Sequence, residues 1–255
     1  MAWFAKFRNG DYSLADVERS GWPLGVIQNT ITDEVPPILP QFPYAGYDLS
    51  CEIFARDMEA ETICVEKWIE ENKKDFVPPV CNKCMFSEQL KVFYVGGPNS
   101  RKDYHLEEGE EFFYQIKGDM VLKVIERGQP RDLLIREGEI FLLPSRVEHS
   151  PQRFADTIGF VVERTRENTE FDCVRYFVEP STERLFERWF HLTDVVRDLP
   201  PLIKAFHASD EHKTGKPGQN SFLVKAPYDP IAVDLPEPIN LQNFINKHSE
   251  TMRYI

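Results

Sequence analysis

The sequence has no run of apolar residues approaching the roughly 18 that a membrane-spanning helix needs, so no transmembrane helix is expected. Cysteine is scarce: Cys51, Cys64, Cys81, Cys84 and Cys173 are the five in 255 residues, and they form no paired framework. That argues against a disulfide-stapled scaffold and for reduced thiols in an intracellular compartment. Cys81 and Cys84 make a lone C-x2-C with no second pair. Two free thiols, one of them buried, are expected there rather than a metal knuckle. Positive charge is in deficit, with 30 Lys and Arg against 42 Asp and Glu, a net charge of −12. This argues against a nucleic-acid backbone as partner. It leaves room for an anionic small molecule, because a local arginine cluster can override the global field. Near the N-terminus Arg8, Asp11, Asp16 and Glu18 interrupt any signal-peptide core, and the segment is too acidic for a typical transit peptide. A cytosolic protein is expected. No pattern fixes the oligomeric state.

Hydrophobic residues make up 42% of the chain, enough for a folded globule. Residues 1–60 read as an irregular N-terminal extension with a proline-rich patch, Val35-Pro-Pro-Ile-Leu-Pro-Gln-Phe-Pro43, which disfavours both helix and central strand. Val65, Trp68, Ile69 and Asn72 follow helical spacing and predict a helix over 64–74, ended by Pro78 and Pro79. Short runs rich in Val, Ile, Leu, Phe and Tyr predict strands at 90–95, 112–116, 120–126, 132–136, 140–143, 159–163 and 174–178. Turn signals separate most of them, so the fold class is mainly β, a sandwich or small barrel that can enclose a ligand cavity. Residues 61–180 are expected to form this unit. Residues 181–255 read as a helical and linker region, with helices at 182–191, 202–206 and 241–248 and a break at Pro200 and Pro201.

His105 and Glu111 share parity, so they can face one side of extended chain. His149 follows several strands later and would have to be returned beside them by the fold. Two neutral imidazoles and a carboxylate are the ligand set of a facial triad, which holds Fe(II) and leaves positions open for substrate and O2. Zinc accepts the same ligands. Taken alone, a His and a Glu at this spacing are also commonplace on protein surfaces.

The surrounding motifs sharpen the reading. Gly97 through His105 and Glu111 to Gly118, and Gly138 through Pro144 to His149, resemble the two-part motif of the cupin superfamily. Glu107 stands where many cupins carry a second histidine, consistent with three ligands rather than four. Ser145 and Arg146 follow Pro144 where many have a glycine. Within the superfamily, Gly96-Gly-Pro-Asn-Ser-Arg-Lys-Asp-Tyr-His105, Glu110-Glu-Phe-Phe-Tyr-Gln115 and His149-Ser-Pro-Gln-Arg-Phe154 resemble the 3-hydroxyanthranilate 3,4-dioxygenase family. Val80-Cys-Asn-Lys83, Phe160-Val-Val-Glu-Arg164 and His212-Lys-Thr-Gly-Lys-Pro217 extend the likeness.

That resemblance implies a cupin-type small β-barrel, or double-stranded β-helix, with flanking helices, and Fe(2+) held by His105, Glu111 and His149. It implies opening of the 3-hydroxyanthranilate ring with O2 to 2-amino-3-carboxymuconate semialdehyde, on the route to quinolinate and NAD. It assigns the substrate carboxylate to Arg101 and Arg153, each four residues from a triad histidine. A planar guanidinium can hold a carboxylate through two parallel hydrogen bonds. It places Glu163 against the substrate's amino or hydroxyl group, with a salt bridge to Arg164 or another arginine as the alternative. Asn99 is a candidate for the O2 or substrate pocket, or a turn former after Gly-Gly-Pro. The resemblance also makes 181–255 an incomplete counterpart of the second barrel of the animal-type enzymes. The paired C-x2-C motifs of some bacterial relatives are missing, so no second iron is expected. The rival readings are another cupin oxygenase or isomerase acting on a small acid, and a non-enzymatic metal-binding cupin.

Overall fold

The computed structural model describes residues 63–252; the expected extension at 1–60 lies outside them. The chain is mainly β. Its strands are β1 (Asn82–Ser87), β2 (Leu90–Gly96), β3 (Tyr104–Leu106), β4 (Glu111–Lys117), β5 (Met120–Glu126), β6 (Gln129–Ile135), β7 (Glu139–Leu143), β8 (His149–Arg153), β9 (Ile158–Arg164), β10 (Asp172–Phe177), β11 (Arg184–Phe190) and β12 (Ile239–Asn240). The helices are α1 (Val65–Asn72), α2 (Val195–Ala208), α3 (Asp210–Thr214), α4 (Leu241–Lys247) and α5 (Ser249–Met252). The strands form two six-stranded sheets, ordered β1-β2-β9-β4-β7-β12 and β11-β10-β3-β8-β5-β6. All the recorded pairings are antiparallel. No helix among the described residues is long and apolar enough to cross a membrane.

The core sits between the sheets. Phe93, Phe113, Phe141 and Val161 from the first sheet meet Met120, Leu122, Leu133 and Ile135 from the second. Strict alternation of buried and half-buried residues along β9 shows why the strands stay in register, because a slip by one residue would turn the apolar set outward.

Two expectations are corrected. The segment 182–191 is not a helix: Arg184–Phe190 is β11, paired with β10 from Asp172↔Phe190 to Phe177↔Arg184. Local composition there is overridden by an open sheet edge. Pro200 and Pro201 do not break the following helix either, but lie inside α2. Asp194 caps its first turn, accepting from the backbone N–H groups of Val196 and Arg197. Leu199 and Phe206 anchor it on β10 and β11, with Phe206 stacked on Tyr176 at 3.5 Å between ring centres. That burial offsets the two missing backbone donors. A short helix, α3, also lies within the expected linker.

Candidate metal and substrate site

The parity of four strands builds one cavity. On β4, Glu111 and Phe113 point inward; on β9, Val161 and Glu163 do; on β8, His149, Pro151 and Arg153 do. In register, Glu111 pairs with Glu163, Phe113 with Val161 and Gln115 with Gly159. His105 on β3 pairs directly with His149 on β8, and their ring centres lie 5.5 Å apart. Asn99, Arg101, His105, Glu111, His149, Arg153 and Glu163 all line this cavity. The fold therefore brings all seven candidate site residues to one cavity, but among the described residues the donor atoms within 4.8 Å of one another belong to His105, Glu107 and His149 and to Glu107, Glu111 and Glu163, not to the expected trio of His105, Glu111 and His149.

At the metal end, each imidazole has one nitrogen occupied by a protein oxygen. Nδ1 of His149 lies 3.0 Å from the Val147 carbonyl, and Nε2 of His105 lies 2.8 Å from Oδ2 of Asp172. Each ring has a second nitrogen, and His149 turns its own toward Glu111. Nε2 of His149 stands 3.0 Å from Oε2 of Glu111, yet that buried oxygen has no hydrogen bond of acceptable direction. A nitrogen lone pair and a carboxylate oxygen this close repel unless a proton or a cation lies between them. Burial raises the Glu111 pKa, but His149, His105 and Arg166 outweigh it and hold the carboxyl below its usual range. The donor set, two imidazoles and an ionised carboxylate, fits a transition-metal ion.

Sequence reasoning set Glu107 aside, and the structure returns it to the site. Glu107 is only 2% exposed. His105, Glu107 and His149 each place a donor atom within 4.8 Å of the other two. Arg166 Nη2 lies 2.5 Å from Glu107 Oε2, but neither carboxylate oxygen is hydrogen bonded. Burial, with Glu163, Glu111 and Asp172 close by, pushes the Glu107 pKa well above its usual range against the pull of Arg166. Burial raises Glu163 in the same way, and Arg166 opposes it. The salt bridge anticipated for Glu163 forms with Arg166 at 3.1 Å, while Arg164 pairs with Glu170.

At the other end lie the two arginines, and they are not equivalent. Arg101 donates from Nε to Asp103 Oδ1 at 3.2 Å and from Nη2 to the second oxygen, so its charge is balanced. The Gln152 side chain clips its backbone from both sides, at 3.0 Å each. Arg153 has no carboxylate at ion-pair distance among the described residues. Its polar side-chain contact is Nη1 to Oε1 of Gln115, at 2.9 Å, although it is only 5% exposed. Burial lowers its pKa to about 10. Asn99 exchanges both backbone hydrogen bonds with Arg153, at 2.8 and 2.9 Å, and its side chain donates to the Pro79 carbonyl. It therefore straps the 97–101 loop beside β8 and brings Arg101 to Arg153. Gly159 leaves the space that Arg153 fills: a Cβ there would lie 2.1 Å from Nη1 of Arg153 and 2.6 Å from Oε1 of Gln115.

Asp103, Gln115, Arg166 and Asp172 were not found from the sequence. The one signal available was a buried charge or amide on an otherwise apolar strand, which needs a partner. Cys81 and Cys84 are free thiols, buried and half-buried respectively. Their Sγ atoms turn to different carbonyls, of Pro98 and Phe86.

The sequence matches the model of the family described as 3-hydroxyanthranilic acid dioxygenase over residues 58–207. A 3-hydroxyanthranilate 3,4-dioxygenase from Caenorhabditis elegans is 69% identical over 184 residues, 72% of this chain and 66% of that one. Those of Rattus norvegicus and Homo sapiens are 52% and 51% identical over 189 residues, 74% of this chain and 66% of theirs. The chain thus spans just under two thirds of the length of these curated relatives. With matched residues running from the first helix through both halves of the site, the chain belongs to the 3-hydroxyanthranilic acid dioxygenase family.

Proposed function

We propose that the protein is a cytosolic Fe(II)-dependent dioxygenase that opens the ring of 3-hydroxyanthranilate with O2, giving 2-amino-3-carboxymuconate semialdehyde on the route to quinolinate and NAD. The observation that carries this reading is a single cavity with two histidines and Glu111 at one end and a guanidinium without a carboxylate partner at the other. An acid bearing an oxidisable aminophenol complements both ends. The sum of the reaction is substrate plus O2, with both oxygen atoms kept in the product, so no reductant is consumed.

His105, Glu111 and His149 would hold the metal. A ferrous ion bound there supplies the electron exchange that lets O2 react with a closed-shell ring. The chain's own residues do the rest. Arg153 supplies the uncompensated charge for the substrate carboxylate, and Arg101, fixed by Asp103, completes the clamp. Phe113, Pro151 and Val161 wall the space between the two ends and exclude water, so the charge pairing acts in a low dielectric. Glu163 faces the aminophenol edge, where its carboxylate accepts a hydrogen bond from the amino or hydroxyl group. Asn99 keeps the arginine end assembled and borders the pocket for substrate or O2. Holding ring and oxygen together contributes by proximity.

A substrate panel tests the reading. The iron-loaded protein should turn over 3-hydroxyanthranilate far better than 2-aminophenol, which lacks the carboxylate, or 3-hydroxybenzoate, which lacks the amine. Equal turnover of all three, or none of any, would remove it. Gly159→Ala gives a finer test. Overpacking of this kind costs about 1–3 kcal/mol, so KM for the acid should rise by roughly 5- to 150-fold, while turnover of 2-aminophenol and iron content hold. A loss that is equal for both substrates would place Gly159 in the core rather than behind the clamp.

A further inference from the structure

His105 is carried by a strand of only three residues, Tyr104–Leu106. Backbone pairing fixes its Cα, opposite His149 and Val174, but not the rotation of its ring. That ring donates to Asp172, whose Oδ2 lies 2.8 Å from Nε2. Asp172 is fully buried and is itself gripped by Arg166, from Nε to Oδ1 at 3.0 Å and from Nη2 to Oδ2 at 2.8 Å. Arg166 is also buried, and a third ligand, the Arg164 carbonyl, takes a hydrogen bond from its Nη1 at 3.1 Å. Asp172 is therefore an immobile acceptor beside a ring that has one nitrogen to spare.

We propose that Asp172, clamped by Arg166, is the positioning residue for His105: it holds one ring N–H and so presents the other nitrogen to the metal. This rests on the reading of His105 as a ligand. The physical reason is general, because a carboxylate on the far nitrogen of a metal-bound histidine fixes its tautomer and ring plane and raises its basicity. The two histidines are aligned differently. His149 uses a backbone carbonyl two residues away, whereas His105 depends on a side chain 67 residues distant. Arg166 also approaches Glu107 and Glu163, at 2.5 and 3.1 Å. One guanidinium thus ties the His105 support to the acid that faces the substrate.

The experiment compares the full chain with its Asp172→Asn and His105→Ala variants. Anaerobic Fe(II) titration against a competing chelator measures affinity, and the visible spectrum of the Co(II)-loaded protein reports ligand geometry. Asp172→Asn should bind Fe(II) about 10- to 100-fold more weakly and shift the Co(II) bands, with the thermal midpoint of the metal-free protein little changed. Wild-type affinity and an unshifted Co(II) spectrum in Asp172→Asn, with binding lost in His105→Ala, would overturn the positioning role and leave the ligand reading intact. Wild-type binding in His105→Ala would sink the ligand reading itself. If Asp172→Asn does not fold, proton NMR of the zinc-loaded wild-type protein decides: the His105 ring N–H should appear at low field and exchange slowly with solvent. Exchange as fast as that of a free imidazole would overturn the proposal.

Discussion

Replacing Glu111 or His149 by alanine should abolish ring opening and weaken iron binding by more than about 100-fold. The lower bound follows from outer partners of metal-bound histidines, which are alone worth about 10- to 100-fold. The two variants should differ in stability. Glu111 shares a tight cluster with the carboxylates of Glu107 and Glu163, so removing it relieves crowding of like charge in the metal-free protein, and its thermal midpoint should hold or rise. Removing His149 leaves Glu111 beside the buried Glu107 and Glu163 with its principal counter-charge gone, and the midpoint should fall. Metal analysis after anaerobic purification and calorimetry of the apo-proteins check both parts. Full iron and activity in either variant would take that residue out of the site.

The second large effect separates the two arginines. Truncating one partner of a buried charge pair costs about 2–5 kcal/mol, so kcat/KM for the acid should fall by roughly one and a half to four orders of magnitude in Arg153→Met or Arg101→Ala. Folding stability should part them. Arg153 is buried without a carboxylate, and replacing an uncompensated buried cation by an apolar side chain of similar size should leave the unfolding free energy unchanged or higher. Arg101→Ala strands Asp103, a buried carboxylate that Arg101 and its hydrogen bonds hold below its usual pKa against the pull of burial. Breaking such a pair costs about 3–5 kcal/mol. Adding Asp103→Asn should recover much of that stability but little of the activity. Denaturant unfolding and kinetics on 3-hydroxyanthranilate and 2-aminophenol read the two apart. If both arginine variants lost activity equally on both substrates, the arginines would be supporting the fold rather than a carboxylate.

Much of this architecture was legible in the sequence because short apolar, β-branched runs between turn signals leave few choices. Met120–Glu126 and Ile158–Arg164 are such runs and became β5 and β9. Besides β1, β11 and β12, the two strands that carry the histidines were missed. β8 reads His-Ser-Pro-Gln-Arg and β3 only Tyr-His-Leu, because the polar residues that line the cavity displace the apolar ones that announce a strand. The ligand candidates were visible as residue types in a motif. Their partners were not: Asp172 lies 67 residues from His105, and Gln115 lies 38 from Arg153. Only the pairing of β10 with β3 and of β4 with β9 brings such residues within reach. Glu107 illustrates the converse. Its residue type argued for leaving it out, and only its burial beside both histidines shows that it belongs to the same cluster.

The central claim is that the triad and the arginines form one oxygen-consuming site, and oxygen uptake tests it most directly. Iron-loaded protein, supplied with 3-hydroxyanthranilate and no added reductant, should consume O2 in equal molar amount to the substrate lost, while the absorbance of the ring-opened semialdehyde rises in step. Uptake should stop when the substrate is exhausted and should not occur without iron. Substrate loss without oxygen uptake, or no reaction from protein shown to carry full iron, would contradict the account.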